Sequence, residues 1–476
     1  MKNGFIVMIY AFLLLGTNSE TNSHNYDSYS AVSTNTNLSG QTVESSTADQ
    51  SAVYITNSGI TIENSIIKKT SGDSSNTENS EFYGVNAAIL VQGGGVTITD
   101  GEISTAAKGA NAICATNSGT VTITGTTITS TGSSSARGLH ATYGGTITAT
   151  DVTISSTGGS CATLATDRGE GTVTCTECTL STAGSGSPLI YSTGSITVSK
   201  TSGTASGAQM VVVEGKNTAI VQDSSSLKCT GVGNRNNVDN CGIFLYQSMS
   251  GDADEGTSSF KCTSSTLEIE SSSSVYSSAP MFFITNTDSD INLNDCTFTY
   301  GSGTFLSATG TSEWGESGSN GGTVTLTLTN QEIEGDFIVD NISSLAITMV
   351  NSSIKGKINT DNQSSNVQVT LDADSKITLT GNSYISSLSN ADATGSNIDQ
   401  GSYTLTVSGS SSSTSNPTSN ETSNPPSKPT STVSTNEDTE NPSNNSTDPI
   451  IRINSARNNL SSFGFIYSIL MFLTVF

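Results

Sequence analysis

Few side chains in this chain could do chemistry. Histidine occurs only at positions 24 and 140. Aligned on a ten-residue phrase that recurs along the sequence, Asn117, Tyr143, Asp167 with Arg168, and Glu214 with Lys216 fall at one bend, with His140 one strand position earlier. A base beside a cation could remove the proton next to a uronate carboxylate, and two facing carboxylates could hydrolyse a glycosidic bond. The catalytic candidates are therefore His140, Asp167, Arg168 and Glu214, and the candidate binding stripe is Asn117, Tyr143, Asp167, Arg168, Glu214 and Lys216. The plainer reading of the same stripe is a solvated edge, because stacked repeats align every residue with its copies. Asp252-x-Asp254-Glu255 is a candidate calcium loop, although it lacks the glycine and distal glutamate of an EF-hand; no other cofactor is suggested. Cys175-x-x-Cys178 has the spacing of half a zinc site, but no second such pair accompanies it. No phosphate loop, serine elbow or HExxH motif occurs.

The phrase that positions these residues reads apolar, any, apolar, four residues, apolar. It appears as Ile60-Ile62-Ile67, Val96-Ile98-Ile103, Val121-Ile123-Ile128, Ile147-Ala149-Ile154 and Val173-Cys175-Leu180, and again from Phe260-Cys262-Leu267 to Ile377-Leu379-Tyr384. Ile196 and Val198 open a copy without the third apolar residue. Period two means strand, and the gap implies a bend between two short strands. A further apolar stretch precedes several copies: NAICAT at 111–116, CATLAT at 161–166, PLIYST at 188–193. A unit of about 25 residues with three strands cannot bury its own apolar face, but stacked copies can. The predicted fold is all-β, a parallel β-helix of about 15 turns over residues 50–408 and roughly 70 Å long. Insertions at 71–84, 231–240, 247–258 and 307–322, the last holding Trp314, are expected to project as loops, either as binding sites or as tolerated insertions.

The flanks have a different character. Residues 1–19 combine Lys2 with the apolar run Phe5–Leu15 and read as a signal peptide. Residues 20–49 read as a polar, disordered N-terminal segment. From 409 to 454 the chain is rich in Ser, Thr and Asn and holds six of its eight prolines, as a stalk would. Residues 455–476 end in an apolar tail behind small residues, which predicts glycolipid anchoring at Asn454 or Ser455 in preference to a short membrane span. Glycosylation sequons fall at Asn37, Asn341, Asn351, Asn362, Asn420, Asn444 and Asn445, with one more at Asn459 in the tail. Eight cysteines in such a secreted context predict disulfides, with the pairing left open. The formal net charge of −24 argues against a nucleic-acid partner. The oligomeric state is left open.

The phrases GTVTIT, ATYGGTIT and GSITV resemble right-handed parallel β-helix surface proteins of the adhesin-like type, within the pectin-lyase-like superfamily, over most of residues 50–408. The resemblance implies a right-handed coil. It departs from the polygalacturonase pattern: Asn286-Thr287-Asp288 and Asn359-Thr360-Asp361 occur, but no Gly-His-Gly and no Asp-Asp. Together these features predict a surface-tethered rod that contacts carbohydrate or another surface, with a membrane as its anchoring partner. A polysaccharide lyase or hydrolase working through the His140–Glu214 edge is the alternative.

Overall fold

The computed structural model describes residues 21–408. The chain divides into two units, residues 1–412 and 413–476. The predicted signal peptide and the C-terminal anchor, with Asn420, Asn444, Asn445, Asn454, Ser455 and Asn459, lie outside the described residues.

The first unit is a parallel β-helix with three strands in each coil. One face is a sheet of twelve strands, from Ala31–Thr34 to Asp336–Val339. The second face has fourteen, from Leu38–Ser39 to Ser387–Asn390. The third face has ten, from Thr42–Ser45 to Thr297–Thr299, followed by a separate sheet of four that starts at Glu332–Glu334. Within each sheet, every strand pairs in parallel with its copy one coil further on. Fourteen strands at the usual sheet spacing span roughly 60 Å.

The repeated phrase is the second strand, a bend and the third strand. Val96, Val121, Ile147, Val173 and Ile196 form one inward column, and Ile98, Ile123, Ala149, Cys175 and Val198 the next. These side chains are almost wholly buried, and each large one contributes about 1.5–3 kcal/mol by leaving water. In six successive coils the bend is made by a single left-handed residue: Asn64, Asp100, Gly125, Asp151, Glu177 and Lys200 all have φ between 47° and 62°. Asn, Asp and Gly tolerate that region best, which is why they dominate the gap. The copy that lacks its third apolar residue has Gly203 there, paired between Leu180 and Leu227. Leu189 fills the space, its Cδ1 lying 2.6 Å from where a Cβ would be.

Three expectations need correction. The coil begins at Ala31, not at residue 50: Ala31–Thr34, Leu38–Ser39 and Thr42–Ser45 pair with the next coil's three strands. Residues 21–30 are not a loose arm, since Tyr26 and Tyr29 pack against Tyr54, Leu90 and Cys114. The last sequence match is shifted by one strand. Ile377 continues the third-face column above Ile354, and Val369 and Leu371 supply the second face. Strands of adjacent faces share the same alternation, so sequence alone could not separate them there.

Candidate functional site

The predicted stripe lies on the outward side of the first sheet, and that side is covered. Its central column runs Tyr54, Leu90, Cys114, His140, Ala165, Tyr191, Val212, Phe244, Phe283. An apolar and aromatic column cannot face water, and the insertions close over it. Residues 71–84 contain the helix Thr77–Tyr83 (α1), capped by Asn76 and ended by left-handed Gly84. Trp314 folds back onto Phe244 and Tyr246, with ring centroids 5.1 and 5.3 Å apart. The insertions around α1 and Trp314 are lids and do not project. The sequence carried this signal: runs such as ICAT, VVVE and FFIT are apolar on both alternating faces, the pattern of a strand buried on both sides.

Beneath α1 lies an ion cluster that the sequence reading met only in part. Arg137 is buried; its Nη1 donates to Asp167 Oδ2 at 2.7 Å, and its Nη2 pairs with Glu81 of α1. His140 is fully buried, and with the proton assigned to Nε2 it donates to the Glu81 carbonyl at 2.7 Å. Burial and the adjacent Arg137 hold the imidazole well below its ordinary pKa, so it is neutral. Burial pushes the Asp167 carboxyl upward, while Arg137 pulls it back by less. Arg137 and Glu81 were missed because neither falls on the repeat template: one sits in a connection and the other in an insertion.

Glu214 is also buried. Its Oε2 accepts from the Tyr191 and Tyr246 hydroxyls at 2.6 and 2.7 Å. Burial and this carboxylate raise both phenols well above their ordinary range, so both keep their protons as donors. Tyr143 is buried and stacks on Tyr83 at 5.8 Å. Asn117 is a half-buried bend residue with φ of 51°.

The remaining candidates form a salted rim. Arg168 lies over Phe82 at 3.9 Å and pairs with Asp252 at 2.6 Å. Lys216 pairs with Glu170 at 3.0 Å and Asp254 at 2.8 Å. Of the proposed calcium ligands, Asp252 and Asp254 are thus held by the chain's own cations, and Glu255 has no such partner among the described residues. Among the described residues no group of three His, Cys, Asp or Glu is arranged to hold a metal ion. The predicted open edge is therefore corrected: His140, Asp167 and Glu214 are buried, the first two around Arg137 beneath α1 and Glu214 apart from them between two tyrosine hydroxyls.

Cys175 and Cys178 form a disulfide, as do Cys262 and Cys296. Cys114, Cys161, Cys229 and Cys241 are buried thiols. Burial pushes Cys114 and Cys229 up to about 12 and Cys161 up to about 11, far from the thiolate that reacts. The sequon residues Asn37, Asn341, Asn351 and Asn362 are all exposed.

The second face is open to solvent, as is the third, where Thr127, Thr153 and Thr179 are exposed. The outward column of the second face runs Thr61, Thr97, Thr122, Thr148, Thr174, Thr197. A parallel column runs Thr99, Thr124, Thr150, Thr176 and Ser199, and another Thr120, Thr146, Thr172 and Ser195. Hydroxyls thus repeat about 4.8 Å along the rod and about 6.7 Å along each strand.

This geometry agrees with a family match. Residues 69–225 match the model of the right handed beta helix region. No curated protein and no solved structure gives a significant match. The β-helix match covers the stretch that holds both the threonine columns and the buried ion cluster. The three-faced coil is also compatible with the pectin-lyase-like superfamily.

Proposed function

We propose that this β-helix is a secreted, surface-tethered rod that binds as an adhesin does, meeting carbohydrate or another surface with its second face. The carrying observation is the array of outward threonines, Thr97 to Thr197, on neighbouring strands. A hydroxyl both donates and accepts, so a regular array of them suits a polymer whose own hydroxyls repeat. β-branched threonine loses little rotamer freedom on binding, because its χ1 is already restricted. The predicted signal peptide, stalk and C-terminal anchor support secretion and tethering. The enzymatic alternative needs reacting groups open to a polymer, and the burial of His140, Asp167 and Glu214 weighs against it.

The test is retention of the whole chain on immobilised polysaccharides, matrix proteins and cells. Joint replacement Thr122→Lys, Thr148→Lys and Thr174→Lys should abolish retention and leave the thermal midpoint nearly unchanged, since these side chains already face water. No retention on any surface, or retention indifferent to the three lysines, counts against this reading.

A further inference from the structure

The third face is broken at one place, and the break is built. Thr297–Thr299 is the last strand of its ten-stranded sheet, and Glu332–Glu334, one coil on, is the first of the next sheet. The second face stays closed at the same level, with Thr287–Asn294 paired to Gly322–Thr329 over eight residues. Between the two unpaired edges lies a cleft of about 610 Å3, floored by Phe298, Tyr300, Phe305 and Ile333. Phe305 enters through an irregularity in the first sheet, where the register shifts between Thr304 and Leu306.

Long side chains prop both ends of the cleft. At the bend before the third face, the backbone N–H of one coil donates to a short hydroxyl in the next: Thr201 to Ser225, Gln331 to Ser352, Ser352 to Ser375. At the break a glutamine replaces that hydroxyl. Gln331 Oε1 accepts from the Cys296 N–H at 2.9 Å, and its Nε2 donates to the Cys296 carbonyl. At the far end the Tyr300 hydroxyl donates to the Glu334 carbonyl at 2.6 Å, where a neighbouring strand's amide would otherwise stand.

At the cleft the backbone presents two strand edges that no described strand pairs. Thr297 N–H donates to the preceding coil and Gly335 N–H to the following one. In a parallel strand successive residues point to opposite neighbours, so the N–H and C=O of Phe298 face the cleft from one side. The N–H groups of Glu332 and Glu334 face it from the other, while the carbonyls of these two residues accept from Gln331 Nε2 at 3.4 Å and from the Tyr300 hydroxyl. Phe298 is also the exception in its column. The inward residues Ile67, Ile103, Ile128, Ile154, Leu180, Leu227 and Leu267 before it, and Ile333, Ile354 and Ile377 after it, are buried, whereas Phe298 is only partly covered.

We propose that this cleft accepts an extended strand of a partner polypeptide, inserted in parallel between Thr297–Thr299 and Glu332–Glu334. An inserted strand joins the two third-face sheets, supplies the missing backbone partners and covers Phe298 with one inward apolar side chain. Backbone pairing of this kind is how sheet edges capture extended peptides. Charge selects the flanking residue. Glu334 is neutralised by Lys355 at 2.8 Å, while Glu332 has no ion-pair partner among the described residues. The inserted strand therefore places a basic residue beside Glu332 and an aliphatic residue next to it. The strand Lys376–Leu379 of this chain has that order and pairs two coils further on, Ile377 over Ile354.

The test is fluorescence anisotropy of the full chain with capped, labelled octapeptides Asp-Ser-Lys-X-Thr-Leu-Thr-Gly, in which X is Ile, Val, Leu or Phe. Saturable binding is expected for at least one of them. Methylating the amide nitrogens of Lys and X keeps the side chains but removes two donors, and should weaken binding at least about tenfold. Glu332→Lys, an exposed change that leaves folding intact, should weaken the Lys peptide and favour its Lys-to-Glu counterpart. Hydrogen exchange should show the Phe298 amide protected only when peptide is present. Equal binding of the N-methylated peptides overturns the proposal, as does no binding by all four with the Phe298 amide unchanged. Neither result bears on the threonine face, which the glycan and cell assays address separately.

Discussion

At the scale of single residues, burial decides what the polar groups do. Lys69 sits in the strand Ile66–Lys69, whose alternation puts it on the same side as Ile67, and it is fully buried. Its ammonium donates to the carbonyls of Thr47 and Gln50, the latter at 2.9 Å, and to Ser45 Oγ at 3.4 Å. Burial lowers its pKa from 10.5 to about 8. The unfolded chain therefore holds this proton more tightly than the folded one between about 8 and 10.5. Lys69 thus adds a rise in stability through that window, set against the fall imposed by the buried Cys114, Cys161 and Cys229 thiols, whose protons the folded chain holds more tightly than the unfolded one. Lys69→Met should remove that rise, as read from urea midpoints measured at each pH. Asp167 gives a second prediction. Asp167→Ala leaves buried Arg137 with the partly exposed Glu81 as its one ion-pair partner among the described residues, and should cost about 3–5 kcal/mol in urea unfolding. A catalytic or ligand-binding Asp167 would instead lose function with stability intact.

At the scale of elements, each coil is held by its neighbours, and covalent links matter where those neighbours part. The Cys262–Cys296 bond joins one coil to the next just before the third face opens, closing a separation of 34 residues. Cys175–Cys178 spans only three. Loop entropy makes the longer link worth roughly 3–4 kcal/mol and the shorter one much less. Cys262→Ser should therefore lower the unfolding midpoint clearly, and Cys178→Ser only slightly. Equal effects would mean that the links act through local packing instead. The lids obey the same logic: the Trp314 and α1 insertions persist as ordered cover because the first sheet's outward column is aromatic and apolar.

At the scale of the whole molecule, stability is close to a sum of coils and coil–coil interfaces. Among the described residues the end strands of each sheet pair on one side only, and hydrogen exchange should be fastest there and slowest between about residues 96 and 222. A uniform exchange rate along the rod would show that the coils unfold as one unit. The chain's acidic, lightly charged composition also fits this scale. With 12% charged residues, its outward surface relies on Thr, Ser and Asn hydroxyls and amides for solubility. Those same groups make up the face assigned to binding.

The sequence by itself determined the coil. Val, Ile and Leu two apart, a left-handed Asn, Asp or Gly, and a third apolar residue admit one economical arrangement, a stack in which each copy buries the next. It also determined the outward threonine columns, because a period of two fixes the face of every residue once one is placed. Only the tertiary structure decided the rest. Whether His140, Asp167 and Glu214 meet water depends on insertions that are far away in sequence and carry no repeat, so alignment of the repeats could not reveal their cover. The cleft at Phe298 was equally hidden. It arises where one extra residue, Phe305, and two long props, Gln331 and Tyr300, hold neighbouring coils apart, and the spacing between coils is a property of packing that no single repeat encodes.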